Sequence, residues 1–105
     1  MEDFRKAAEF RNLLRTALTE LLLQSGYQLT YDNEKTDQNK PEHYVFRLHY
    51  SGNKKIQIFN DDWRDYTEYF SVKLDEEELM ILKLTEFEDV WAAFEEIKRI
   101  LVPNL

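Results

Sequence analysis

The chain has no cysteine, and only two glycines and two prolines in 105 residues. Without cysteine there is no disulfide framework, no thiolate nucleophile and no cysteine-bound metal. Gly26 and Gly52 alone cannot build a phosphate-cradling loop or a dinucleotide fingerprint, which need bare backbone at several close positions. Long apolar runs are missing as well. Leu21–Leu23 and Leu79–Leu82 fall far short of the roughly 20 residues that span a bilayer. The opening MEDFRKAAEF is broken by Glu2, Asp3 and Glu9 and lacks a basic-then-apolar leader pattern, so a cytoplasmic protein without membrane association is expected. Few Gly and Pro beside 43% apolar and 14% aromatic residues exclude collagen, linker and generic disorder. The length predicts one domain, 1–105.

Positive charge is scarce too, and unevenly so. The formal net charge is −7. Residues 1–60 hold nine Lys/Arg against eight Asp/Glu, whereas residues 61–105 hold five against thirteen. The acidity comes from the last 45 residues, which opposes direct contact with a nucleic-acid backbone or an anionic membrane. It favours a charged working surface instead, since charge complementarity mainly sets partner choice and association rate.

What is present reads as a small α+β domain. Residues 2–24 predict an amphipathic helix, with Phe10, Leu13, Leu14, Ala17, Leu18 and Leu21 at three- and four-residue steps. Gly26 is placed to end it in a left-handed conformation. Tyr27, Leu29 and Tyr31 predict a short strand, and the polar run 32–42 reads as an exposed loop and a candidate contact loop. Residues 43–50 predict a strand with Tyr44, Phe46, Leu48 and Tyr50 on one face. A turn at Ser51-Gly52-Asn53, with glycine supplying a positive φ, leads to a return strand through Ile56 and Ile58. Phe59 falls out of phase and is placed on the open face. Residues 69–74 predict a strand, and Leu79–Leu84 a further strand paired with it. Thr85 and Glu88 form a capping box, after which Phe87, Val90, Trp91, Phe94, Ile97 and Leu101 make an apolar helical stripe. The expected architecture is a two-layer sandwich: an antiparallel sheet of four to five strands with an N-terminal and a C-terminal helix on one face. Tyr44, Phe46, Tyr50, Phe70, Trp91 and Phe94 are expected in its core.

The chemistry expected of an enzyme is not assembled by these patterns. His43 and His49 lie on one strand face about 20 Å apart, too far to share a metal ion. The carboxylates Asp61, Asp62, Asp65 and Glu68 lack the spacing and central glycine of a calcium loop. The serines have no nucleophile-elbow context. No cofactor, no metal and no catalytic residue is predicted, and the chain reads as a non-enzyme.

A binding surface is predicted instead. DDWRDYTEYF interleaves acids with aromatics, placing Trp63 and Tyr66 beside Asp61, Asp62, Asp65 and Glu68, a composition suited to a basic partner. On the last helix Glu88 and Glu95, and likewise Asp89 and Glu96, stand seven residues apart, about 10.5 Å along the axis. With Glu76 and Glu77 they form a candidate carboxylate array that nucleic-acid-binding proteins would accept in place of phosphates. The function expected is a small acidic inhibitor, monomer or homodimer, that occludes a basic nucleic-acid-binding or nucleic-acid-processing protein. Toxin-immunity, anti-defence and anti-CRISPR proteins are of this physical type. A second candidate is a dimeric adaptor that binds an extended peptide, because the element order resembles secretion chaperones in outline. A third, a double-stranded-RNA module, would draw on Arg5, Lys6, Arg11 and Arg15 but has the wrong net charge.

Overall fold

The computed structural model of the chain describes residues 4–37, 40–62 and 69–105. The N-terminal helix runs without a break through an α-helical stretch Phe4–Leu13, a wider π-helical turn Leu14–Leu18 and a second α-helical stretch Thr19–Gln24. Five strands follow: β1 (Gln28–Asp37), β2 (Lys40–Ser51), β3 (Lys55–Asp62), β4 (Tyr69–Leu74) and β5 (Glu77–Lys83). They form one antiparallel sheet in the order β1-β2-β3-β4-β5, so each strand pairs with its neighbours in sequence. The C-terminal helix, Val90–Leu101, closes the chain. The expected α+β sandwich is what forms.

The core lies between the helices and one face of the sheet. Phe46, Leu48 and Tyr50 of β2, Ile56 and Ile58 of β3, and Phe70 and Val72 of β4 are sealed from solvent by Phe10, Leu14, Leu18, Leu22 and Ile97. Phe70 stands edge-on to both Phe10 and Phe46, with ring centroids 4.8 and 6.1 Å apart. The Tyr44 side chain lies outside the described residues.

Along the N-terminal helix the residues on the sheet are Ala7, Phe10, Leu14, Leu18 and Leu22. This departs from the expected stripe, which continued through Leu21. A row taken at every fourth residue drifts about 40° per turn around a helix of 3.6 residues per turn. The π-helical turn, in which the Thr19 amide reaches back to the Leu14 carbonyl, holds more residues and cancels that drift. Leu18 and Leu22 therefore stay over the sheet, while Ala17 and Leu21 rotate toward the side. The wide turn is pinned by the Thr19 hydroxyl, 2.7 Å from the Tyr50 hydroxyl. Burial pushes the Tyr50 phenol up to about 12, so it stays protonated. The helix then stops as expected: Gly26 has φ 91°, its amide reaches Leu23 O and that of Tyr27 reaches Leu22 O.

The run 32–37 is strand, not loop, and this corrects the expectation. Its register against β2 puts Asp32 and Glu34 on the helix side of the edge strand. There Arg15 makes paired hydrogen bonds to Asp32 (Nε–Oδ2 and Nη2–Oδ1, each 3.0 Å) and its Nη2 lies 2.7 Å from Glu34, while Arg11 lies 3.6 Å from Glu34. Ion pairs replace apolar contacts as the reason for the alternation, and a hydropathy pattern does not record that.

Two further corrections concern turns. Gly52 does not supply a positive φ. A Cβ at that position would come within 2.7 Å of the Tyr27 ring, so glycine is required by close approach. Positive φ occurs instead at Asp75 (50°) and Glu76 (72°), the two residues linking β4 to β5. The helix expected to start from Thr85 starts five residues later. Leu84–Glu86 form a 3₁₀ turn and Phe87 is extended, and Asp89 is the N-cap, accepting from the Ala92 amide at 2.8 Å.

The open face of the sheet carries Phe59, as expected from its phase. Its ring lies between two cations, with Arg47 at 5.0 Å and Lys73 at 5.6 Å from the centroid. Lys83 covers Tyr69 at 5.6 Å, and Tyr31 rests against His49 at 4.9 Å. The aromatic rings of this face are thus partnered within the chain.

Candidate functional site

The two helices lie side by side and point the same way. Lys6 near the start of the first donates to the Phe87 carbonyl just ahead of the second (2.6 Å). At the other end Gln24 and Lys98 line the same hollow. Between the helices run two adjoining open hollows of about 430 and 260 Å³ that share Ala17 and Glu20. Together they make one trough along the outer surface of the helix layer.

Its deeper lining is apolar: Leu13, Ala17 and Leu21 from the first helix, Val90 and Phe94 from the second. Ala17 and Leu21 are the residues that the π-helical turn brings to this side. On one lip stands Trp91, 59% exposed and edge-on to Phe94 at 6.1 Å. The opposite lip carries Glu9 and Glu20. Neither has an ion-pair partner among the described residues. At the far end Lys98 pairs with Glu95 at 3.5 Å and lies over Phe94. The trough is therefore acidic at its centre and at the Trp91 end, and balanced at the Lys98 end.

Trp91 corrects the sequence reading, which put it in the core. Val90, Ala93, Phe94, Ile97 and Leu101 are the buried stripe of the C-terminal helix. That set is complete at three- and four-residue steps without Trp91, and this was the available signal that the indole faces outward.

The residues predicted as a binding site are dispersed. Trp63, Asp65, Tyr66 and Glu68 lie outside the described residues. Asp61 and Asp62 end β3. Glu76 and Glu77 sit at the β4–β5 turn, where Lys55 pairs with Glu76 at 2.5 Å and holds its carboxyl below the usual range. Glu88 and Asp89 follow the opposite end of β5, a strand about 20 Å long at 3.3 Å per residue, beyond the 3₁₀ turn Leu84–Glu86. Asp89 is committed to its cap, Glu95 to Lys98 and Glu96 to Arg99. Glu88 is exposed near Trp91. The carboxylates thus do not form one continuous array. Of the cations of the RNA reading, Arg11 and Arg15 are held by β1 and Lys6 by Phe87 O, and the Arg5 side chain lies outside the described residues. Among the described residues no group of three or more His, Cys, Asp and Glu is placed to hold a metal ion, and no helix is long and apolar enough to cross a membrane.

Comparison with known proteins gave no matching family model, no similar curated protein and no similar solved structure. The site is read from its own chemistry. An apolar trough with an exposed tryptophan and unpaired carboxylates offers area to bury and charge to match.

Proposed function

We propose that the chain works without catalysis, as a small acidic binding protein that docks on a basic protein and covers that partner's nucleic-acid-binding or nucleic-acid-processing surface. One observation carries this: Trp91 stands exposed on an apolar trough whose facing carboxylates, Glu9 and Glu20, have no ion-pair partner among the described residues. Burying an aromatic side chain of this kind against a partner stabilises a complex by about 2 kcal/mol or more. Unpaired acids beside it select a cationic partner and repel anionic ones. The net charge of −7 steers the encounter in the same sense.

The test is quantitative capture from the source cell with the wild-type chain, Trp91→Ala, and the double variant Glu9→Lys/Glu20→Lys. A basic protein retained by the wild type in a salt-sensitive manner, and lost from both variants, is expected. Equal retention by both variants, or a partner whose contact surface is acidic, contradicts the proposal.

A further inference from the structure

Taking the basic-partner reading above as given, we propose that the segment seated in the trough is a basic amphipathic helix, lying along the two helices of this chain. Three independent features select that form.

The first is hydrogen bonding. Both walls are helices, whose backbone N–H and C=O groups are spent within each helix away from its ends. An extended peptide laid there would find no backbone partners and would leave its own groups unsatisfied as it excluded water. A helix arrives with those groups already paired. The trough is thus unlike a sheet edge, which captures strands.

The second is length and shape. From Glu9 to Gln24 the trough spans about 22 Å, which is four turns of helix. Two parallel helices on a sheet leave a valley that accepts the ridge of a third at the usual 8–10 Å spacing. The small Ala17 at mid-trough allows close approach, and Trp91 closes over the flank.

The third is charge spacing. Glu9 and Glu20 are eleven residues apart on one lip, at most about 16 Å along an axis that includes the wide turn Leu14–Leu18. A helix repeats its face at that same interval, so two Lys or Arg eleven residues apart on the occupant would meet both carboxylates. A second copy of this chain does not fit the requirement, because Arg11 and Arg15 of the N-terminal helix are taken by Asp32 and Glu34.

The experiment uses the full chain and four synthetic peptides of about 15 residues, four helical turns. One is an amphipathic helix with two lysines eleven residues apart. The second has the same composition with a central proline. The third carries its lysines on the apolar face, and the fourth replaces lysine by glutamate. Binding is followed by the Trp91 indole N–H resonance, assigned with Trp91→Phe, and by the helical circular dichroism gained. The first peptide is expected to shift that resonance and gain helix, and to bind about tenfold or more tighter than the others. Its affinity for Glu9→Lys/Glu20→Lys should fall by a similar factor. Equal binding of the proline peptide, without gain of helix, overturns the helical occupant and leaves the basic-partner reading standing. Preference for the acidic peptide, or an unmoved Trp91 with every basic peptide at millimolar concentration, overturns both. A concentration-dependent dimer dissociated by Trp91→Ala would place a second copy in the trough and overturn the proposal.

Discussion

At the scale of single residues, the groups that depart from their ordinary chemistry lie away from the trough. His49 is the clearest. Burial first, then Arg47 and Lys55, lower its pKa, with Glu76 acting the other way, and its Nε2 has no hydrogen-bond partner among the described residues. The free chain therefore binds a proton more readily than the folded one once the pH drops below the ordinary value of about 6.5. Stability from this residue is fully present above that pH and is lost as the pH falls through the lowered folded value. Urea unfolding is expected to show a flat stability near pH 7–8 and a decline beginning below about 6.5. His49→Gln should remove the early part of that decline, and an unchanged profile in this variant would refute the assignment.

Gly52 makes a second residue-scale prediction. Since a Cβ there meets the Tyr27 ring at 2.7 Å, Gly52→Ala must displace a buried aromatic side chain. A loss of about 1–3 kcal/mol is expected in equilibrium unfolding, as for overpacking elsewhere. An unchanged midpoint would mean the turn has room that the geometry denies. The glycine was visible in the sequence as a turn residue, but its reason was not, because the ring it touches is 25 positions away.

Elements tell a similar story. Strands β2 to β4 and the C-terminal helix were legible because one face of each is apolar at the right period. The ribbon 32–37 was not, since its inward residues are acids whose partners, Arg11 and Arg15, lie on another element. The N-terminal helix was legible up to Leu18 and then off by one position, because a π-helical turn depends on what packs beneath it. That turn is held by Thr19 and Tyr50. Thr19→Val removes the hydroxyl at nearly constant shape and leaves the buried Tyr50 hydroxyl without this partner. The expected cost is about 1–3 kcal/mol of unfolding free energy, with Tyr50→Phe/Thr19→Val recovering part of it. A double-mutant cycle with no coupling between the two would refute the role given to this pair. Ala17 and Leu21 owe their place in the trough to the same turn, so the Thr19→Val variant should also shift the Trp91 resonance.

Across the described residues, part of the acidity seen in the composition is spent within the fold. Asp32, Glu34, Glu76, Asp89, Glu95 and Glu96 each hold a cation or a backbone amide of the chain itself. A count of charges along the last 45 residues pointed to Glu76, Asp89, Glu95 and Glu96, and to Glu77, Glu78, Glu86 and Glu88, which stay exposed, whereas the trough carboxylates Glu9 and Glu20 belong to the near-neutral half. The proposed partner is therefore basic, as expected from the sequence, and its proposed place of contact is a different one. The place depends on which side chains have been used up in folding, and only the assembled structure displays that. Trp91 is the same lesson for apolar surface: the stripe of the C-terminal helix is complete without it, which leaves the indole exposed.

Hydrogen exchange on the complex with the captured partner tests this account most directly. Slowed exchange over residues 9–24 and 88–98, with β3 and β4 unaffected on their open face, is the footprint expected. Protection centred on the open face around Phe59, or on the 52–54 and 75–76 turns with the helices unchanged, would contradict it.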